Sequence, residues 1–333
     1  MASRCLVRGS INVDEFFQGK GFDDIVSPGQ TISSTNLVRR PGGKGANQAA
    51  AIARAGGLVD LVSAVGHDGT WVRDELTASG VNTESVAVVQ VHLVSFSASD
   101  LVSNSRRKAP DARSSKCRRA ENSIILFKGA NDSTLPSHTI HPDTTHLVLQ
   151  NEIPLKDTLD YLSIASARNI ASVFNPSPMP SAEELLHFPW NDLTWLVVNN
   201  GEMREICVAL GLAIPPALPS AAVDCARVLL HLLAKHTPKT KIVCTSAVMG
   251  CSQDWARKTG LRARRQATRI KSRYDGCGDC FTGYLVAGLM DLSVDKRMTT
   301  SRSSGERHRP RECVWKSRVQ WRASLWPLTL MLV

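Results

Sequence analysis

The chain has 333 residues, of which 43% are hydrophobic and 5% aromatic, and its formal net charge is +10. This length and composition predict a soluble globular protein with one large α/β domain, or one domain with a lid. Nine cysteines without regular spacing exclude a disulfide framework. No signal segment opens the chain, and the closing apolar run LWPLTLMLV is shorter than the roughly 20 residues of a membrane span. We therefore expect no membrane contact and a cytoplasmic location, with the nucleus as an additional compartment.

The positive charge is concentrated in three windows. Residues 104–119, 255–273 and 297–322 carry net charges of +6, +8 and +6, so the remaining residues are net negative. An acidic remainder is typical of a cytosolic enzyme. The windows lack the interleaved aromatic residues and the helical recognition motif of nucleic-acid-binding proteins. We therefore predict no nucleic-acid partner.

In chain order, the first ninety residues alternate between strand-like and helix-like segments. CLVRGSINVD predicts a strand that runs into a turn, and GGKGANQAAAIARA predicts a glycine turn followed by an alanine-rich helix. LVDLVSAVG then has the pattern of a buried strand, and WVRDELTASG that of a helix. This order predicts a βαβ-wound sheet.

The same alternation resumes after residue 140. The predicted strands are THLVLQNEI, IASVFNPSP, LTWLVVNN and KIVCTSA, and the predicted helices are KDTLDYLSIASARN, EMREICVALG and a segment near 220–235. These elements predict a doubly wound α/β domain with a mostly parallel sheet flanked by helices. No internal repeat is apparent.

Three segments interrupt this pattern, at 91–119, at about 251–273 and at 293–333. They contain many serine and arginine residues and have neither the alternation of a strand nor the period of a helix. From composition alone we predict loops or disorder in all three.

The motif GGKGANQ, residues 42–48, combines close backbone approach with polar side chains. Gly42, Gly43 and Gly45 let the backbone approach a ligand, while Lys44 and Asn47 lie beside a helix N-terminus that favours oxygen-rich ligands. The alternative is a glycine turn that simply caps a helix. The motif is not a Walker A loop, because Gly45 rather than Ser or Thr follows the lysine.

A second polar motif lies at the end of the first predicted strand, where ligands bind in open α/β sheets. Asn12 and Asp14 in GSINVD could grip adjacent hydroxyls of a sugar. The alternative is an ordinary turn, which the Asn-x-Asp pattern also forms.

The two motifs together resemble those of the ribokinases, the ribose-phosphorylating members of the phosphofructokinase-B-type sugar kinases. Fructokinases and adenosine kinases usually lack the lysine of the second motif. The resemblance continues through PGQT, AVGHDGTW, ENSIILFKGAN, LVLQNEIPL, FNPSP, VVNNGEMREI and GDCFTGYLVAGL. It implies a ribokinase-like kinase domain over residues 1–292, with a small β-sheet lid whose strands come from about 12–40 and 85–130. Residues 293–333 would then be a non-family tail without structure.

The resemblance also implies the residues that bind the substrates. Those implied for the sugar are Asn12, Val13, Asp14, Gly43, Lys44, Gly45, Ala46, Asn47, Glu152 and Asp279. Those implied for ATP are Asn199, Thr245, Gly250, Gly278 and Asp279. Without the resemblance, Glu152 would be interpreted as a solvated strand end, and the Asn-x-x-Glu pattern of Asn199 and Glu202 as a helix cap.

For the reaction, the resemblance implies that Asp279 is the general base. It would accept the proton of the 5-hydroxyl of D-ribose as that oxygen attacks the γ-phosphate of ATP. Backbone N–H groups of Gly276, Cys277 and Gly278 would form an anion hole at a helix start. Glu202 would join the Mg²⁺ shell through water, K⁺ would activate the enzyme, and the lid would form a homodimer.

The sequence departs from the family pattern around this motif. Arg273 replaces an aspartate linked to the K⁺ ion, and its positive charge should abolish that site. Asn200 replaces a glutamate, which weakens the Mg²⁺ shell. The family's Thr-Leu-Gly-x-x-Gly loop survives only as Thr245 and Gly250. Cys277 and Cys280 match the redox C-x-x-C pattern, which is the alternative interpretation of this stretch.

A shift in the reading frame would explain one departure. The family's Asp-Thr-Thr-Gly-Ala-Gly, translated two bases later, can encode Tyr-Asp-Gly-Cys-Gly, which is residues 274–278 here. On this hypothesis residues 251–277 are out of frame and 91–119 are a translated intron. The alternatives to a working ribokinase are a catalytically impaired sugar-binding homologue and a kinase for another sugar or a nucleoside.

Overall fold

The part of the chain that the structure describes contains two β-sheets, seven α-helices and three short 3₁₀-helices. This computed structural model describes residues 3–19, 33–90, 95–98, 102–103, 125–133, 135, 140–219, 222–247, 277–300 and 328–332. The predicted segment 251–273 lies outside these ranges, as do most residues of 91–119 and of 293–333.

The larger sheet has eight strands. In chain order they are β1 (Arg4–Arg8), β4 (Leu58–Gly66), β5 (Val86–Val89), β9 (Thr144–Gln150), β10 (Ala171–Asn175), β11 (Trp195–Asn199), β12 (Lys241–Ala247) and β13 (Leu328–Leu332). Their spatial order is β13-β12-β11-β10-β9-β1-β4-β5, and every neighbouring pair is parallel except β12 with β13. The predicted doubly wound, mostly parallel sheet is thereby confirmed.

The smaller sheet is made of short strands. They are β2 (Asn12–Gly19), β3 (Asn36–Gly42), β6 (Ser95–Ala98), β7 (Val102–Ser103) and β8 (Ile125–Phe127). Strand β2 pairs antiparallel with β3 and parallel with β6 and β7, while β6 pairs antiparallel with β8. Because β2 begins four residues after β1 ends, the small sheet starts directly at the edge of the large one.

Helices cover both faces of the large sheet. They are α1 (Lys44–Arg54), α2 (Thr70–Ala78), α3 (Leu155–Ala167), α4 (Ala182–Leu186), α5 (Asn200–Ala209), α6 (Ala222–His236) and α7 (Cys277–Thr300). Within the described residues, no helix is both long enough and apolar enough to cross a membrane.

Two apolar cores form between these layers, because successive side chains of a strand point to opposite faces. On one face, Leu6 and Leu147 pack with residues of α3, α5 and α6. On the other face, Val7 and Val148 pack with α1, α2 and α7. Burial on both faces explains the almost continuous Val and Leu runs that identified these strands in the sequence.

Two predictions about irregular segments were wrong where the structure describes them. Strands β6 and β7 lie inside 91–119, where we expected no strand. In 293–333, α7 continues to Thr300, and β13 pairs with β12 from Val243 opposite Leu332 to Ala247 opposite Leu328. Short strands such as these are formed by pairing with a neighbour, which composition and periodicity do not reveal.

Candidate active site

The turn between β1 and β2 places Asn12 in a buried position at the carboxyl end of the large sheet. Only 2% of Asn12 is exposed. Its Oδ1 accepts a hydrogen bond of 2.7 Å from Nδ2 of Asn131, which also donates to the carbonyl oxygen of Ile11. The backbone N–H of Ile11 in turn donates to Oδ1 of Asn131. Asn131 therefore fixes this turn. We had not singled it out, although it ends the motif ENSIILFKGAN.

Strand β3 brings the glycine motif alongside this turn. Asn12 lies opposite Gly42 in the β2–β3 register. A side chain at Gly42 would overlap with the carboxylate of Asp14, so the glycine makes room for that group. Val13, the residue before Asp14, is also buried. The strand pair therefore brings the two motifs predicted to bind the sugar next to each other at Asn12 and Gly42.

Two glycines allow α1 to start very close to the β1–β2 turn. Gly43 has a φ of +89°, and a Cβ there would lie 2.7 Å from the backbone nitrogen of Asn12. A Cβ at Gly45 would lie 2.6 Å from the backbone of Gly9 and Ser10. Ala46 is buried in the next position of the helix. Only glycine fits these contacts, because real Cβ atoms do not approach so closely.

Glu152 joins the turn to the helix. Its carboxylate accepts hydrogen bonds from the Ser10 hydroxyl and, at 2.9 Å, from the backbone N–H of Lys44. Only 9% of Glu152 is exposed, so the interpretation of a solvated strand end is wrong. Ser10 is a further polar residue that the sequence analysis did not single out, although it belongs to the motif GSINVD.

Asp279 meets the same helix from the far end of the chain. It lies in the first turn of α7 and is 5% exposed. Its Oδ1 accepts a hydrogen bond of 2.9 Å from Nε2 of Gln48. Its Oδ2 accepts one of 3.2 Å from Nδ2 of Asn47. The start of a helix favours a negative charge at this position. The predicted base thus touches the predicted sugar motif, 231 and 232 residues away.

Lys44 is the cation of this group of residues. Burial lowers the pKa of its ammonium group, but attraction to the carboxylates of Asp279, Glu152 and Glu202 more than offsets burial, so the pKa is raised. The lysine therefore stays charged at neutral pH. Its three carboxylate partners connect the predicted sugar side with the predicted phosphate side.

Asn199 and Glu202 form a capping box at the start of α5. The Asn199 side chain accepts a hydrogen bond of 2.9 Å from the backbone N–H of Glu202. In return, Oε2 of Glu202 accepts a hydrogen bond of 2.8 Å from the backbone N–H of Asn199. The interpretation as a helix cap is therefore confirmed. Burial raises the pKa of Glu202, while the backbone hydrogen bond, Lys44 and the Ser177 hydroxyl act in the opposite direction.

The neighbouring strand β12 supplies two groups near this cap. Thr245, opposite Asn199 in the register, donates 3.4 Å from Oγ1 to the carbonyl oxygen of Val198. Asn200 accepts a hydrogen bond of 3.1 Å from the thiol of Cys244. Burial raises the pKa of that thiol to about 11. That thiol is therefore protonated at neutral pH.

The remaining predicted residues are only partly within the described chain. Gly250, Arg273 and Gly276 lie outside it, and of Cys277 only the backbone at the start of α7 is described. Gly278 is exposed in the first turn of that helix. The anion hole and the loss of the K⁺ site therefore stay predictions.

The described residues fit a water-mediated Mg²⁺ site. Among them, no group of three or more His, Cys, Asp or Glu side chains could hold a metal directly. Mg²⁺ usually keeps several waters and needs only one or two carboxylates together with substrate phosphates. Glu202 offers such a carboxylate, held in place by the N–H of Asn199.

Curated relatives of the chain are ribokinases. It is 30% identical to the ribokinase of Bacillus subtilis over 201 residues, which are 57% of this chain and 62% of that protein. It is 29% identical to the ribokinase of Haemophilus influenzae over 186 residues, 54% of this chain and 55% of that protein. The chain thus matches less than two-thirds of the length of these relatives.

Solved structures extend the similarity. A ribokinase from Cryptococcus neoformans in complex with ADP is 38% identical, with a TM-score of 0.71 over 88% of each chain. A ribokinase from Arabidopsis thaliana complexed with ribose and ATP shares the fold, at 20% identity and a TM-score of 0.60 over 87% of each chain. The model of the pfkB family carbohydrate kinases matches residues 4–301. The chain therefore belongs to the pfkB family of carbohydrate kinases.

Proposed function

We propose that this chain transfers the γ-phosphate of ATP to the 5-hydroxyl of D-ribose. One observation carries the proposal: Asp279, the only residue for which a general-base role was predicted, accepts hydrogen bonds from Asn47 and Gln48 of the sugar motif. A base that lies against a sugar-binding helix can reach the hydroxyl of a sugar bound there. The names of the relatives favour ribose as that sugar.

The sugar side of the site would hold ribose through its hydroxyls. Asn12, Asp14 and Glu152 supply amide and carboxylate oxygens at the edge of the sheet, and Lys44 and Asn47 supply donors. Donors and acceptors gathered at one edge of the sheet favour a ligand with several hydroxyls. The glycines at 43 and 45 keep the backbone close to that ligand.

In the reaction, Asp279 would take the proton of the 5-hydroxyl while its oxygen attacks the phosphorus atom. The backbone N–H groups at the start of α7 would stabilise negative charge on the transferring group. Glu202 would hold Mg²⁺ through water, and the ion would supply charge neutralisation at the phosphates of ATP. Asn199 and Thr245 would lie on the nucleotide side, and Arg273 would leave the enzyme without a K⁺ site.

A substrate panel tests the proposal. The full-length chain is incubated with Mg-ATP and D-ribose, D-fructose, adenosine or inosine, and ADP formation is followed by a coupled assay, with mass spectrometry of the product. We expect ribose to give a singly phosphorylated pentose at the highest kcat/KM. A higher kcat/KM for another acceptor would assign a different substrate.

A melting-temperature measurement with D-ribose, made beside the substrate panel, separates the proposal from its strongest competitor, a sugar-binding homologue without catalysis. Asn200, which replaces a glutamate of the family pattern, is the observation that favours the competitor. If D-ribose raises the melting temperature of the chain but no ADP forms, the competitor is correct. Adding K⁺ should leave turnover unchanged, because Arg273 replaces the carboxylate of that site.

A further inference from the structure

A chain of buried amides connects the central sheet to Asp279. Nε2 of Gln150, the last residue of β9, donates a hydrogen bond of 2.7 Å to Oε1 of Gln48. Nε2 of Gln48 donates a hydrogen bond of 2.9 Å to Oδ1 of Asp279. Both glutamines are fully buried. Neither has a role in the sugar site, the nucleotide side or the anion hole described above.

Hydrogen-bond chemistry fixes which amide group is the donor and which is the acceptor in this series of contacts. An ionised carboxylate can only accept hydrogen bonds, so Gln48 must present its NH₂ group to Asp279. The Oε1 atom of Gln48 then faces Gln150, which must in turn present its own NH₂ group. The fold leaves room for this arrangement, because a side chain at Gly9 would overlap with the amide of Gln150.

We infer that Gln150 and Gln48 are positioning residues for the base, an inference that rests on the proposed function. Gln150 sets the orientation of the Gln48 amide, and Gln48 holds Oδ1 of Asp279. Oδ2 has the longer contact, 3.2 Å to the partly buried Asn47, and is the oxygen left to take the proton of the sugar hydroxyl. Neither glutamine touches the substrate.

Reversing the direction of the hydrogen bonds between the two amides tests this inference. Gln150→Glu changes one atom of the side chain, and its carboxylate would accept from the NH₂ group of Gln48. The Oε1 atom of Gln48 would then face Asp279 and repel it. We expect kcat with D-ribose to fall at least about tenfold, because small misplacements of reacting groups lower rates strongly. The KM for D-ribose should stay within twofold.

Two further variants complete the kinetic test. Gln90→Glu makes the same change at an exposed position and should leave both constants unchanged. Gln150→Met removes the donor to Gln48 without reversing the hydrogen bonds, so it should give a smaller loss of kcat. If Gln150→Glu does not fold, Gln150→Met takes its place in the test. A kcat for the variants at Gln150 within twofold of the unmutated chain would overturn the inference.

A spectroscopic test does not depend on turnover. The chain is labelled with [¹⁵N]glutamine, and the side-chain amide signal of Gln48 is identified by its loss in Gln48→Met. That signal should move in Gln150→Glu and in Asp279→Asn, but not in Gln90→Glu. If no sugar is phosphorylated, the proposed function fails and this spectrum alone decides. A Gln48 signal that neither change moves would refute the amide chain itself.

Discussion

Asp279 combines burial with two amide donors, a setting that can hold a carboxylate in one orientation. We expect Asp279→Asn to lower kcat by about 10²–10⁴, the typical contribution of a positioned base. The amide keeps the size of the side chain, so D-ribose should still bind, as calorimetry would show. Asp291→Asn, at an exposed position of the same helix, is the matched control and should retain full turnover. Retained turnover in Asp279→Asn would remove the residue from the mechanism.

Gly43 and Gly56 provide a matched pair of glycines for separating backbone strain from steric overlap. Both have a φ near +90°, but a Cβ at Gly43 meets the backbone of Asn12, whereas a Cβ at Gly56 meets nothing within 4 Å. Gly56→Ala should lower the free energy of unfolding by about 1 kcal/mol through strain alone. Gly43→Ala should lower it by about 3 kcal/mol or more and abolish ribose binding.

Urea unfolding and calorimetry would measure both effects. Equal losses for the two variants would show that the turn around Asn12 yields to the extra methyl group, and that close approach is not required there.

At the scale of elements, the start of α5 joins a structural cap to a partly buried carboxylate. Burial raises the pKa of Glu202 above its ordinary value of 4.5, so the folded state holds this proton more tightly than the unfolded state. The ionised group therefore lowers stability at pH values above its folded pKa. That effect disappears as the pH falls below 4.5, where both states are protonated.

Glu202→Gln should therefore raise the free energy of unfolding at pH 7, because glutamine keeps the capping hydrogen bond without a charge at this partly buried position. The difference from the unmutated chain should vanish near pH 4. Urea unfolding across this pH range measures it, and Glu75→Gln, at an exposed position of α2, is the control. A lower stability of Glu202→Gln at pH 7 would contradict the assignment.

The contact between α1 and α7 depends on Gly283. A Cβ there would lie 2.8 Å from the carbonyl oxygen of Gln48 and would overlap with Ala51. Gly283→Ala should push α7 away and carry Asp279 with it, so the melting temperature should fall and kcat should drop at least about tenfold. Gly278→Ala, where a Cβ meets nothing within 4 Å, should not lower the melting temperature. A Gly283→Ala variant with unchanged turnover would separate helix packing from catalysis.

Prediction from sequence succeeded where a local pattern carried the information. The Val and Leu runs identified the central strands, and GGKGANQ identified the start of α1. Strands β6, β7 and β13 were missed, because their short segments become strands only by pairing with β2 and β12. Gln48 and Gln150 were missed because a buried glutamine in a helix or strand has no local signature.

At the scale of the whole molecule, the large sheet separates two apolar cores and collects the polar residues at one edge. Leu6 and Val7, adjacent in β1, belong to different cores. Because parallel strands end at the same edge, residues from β1, β9 and β11 meet there although they are far apart in the chain. The sheet therefore explains why Ser10 and Glu152 could be brought together, which no spacing in the sequence indicated.

The distance in sequence between Gln48 and Asp279 also has a consequence for the newly made protein. The ribosome completes α1 long before α7 exists, and at about 5–20 residues per second the interval is roughly 10–50 s. During that time the growing chain can already form the turn that holds Asn12. The turn of the proposed sugar site can thus form early, whereas the carboxylate that would begin the transfer is synthesised much later.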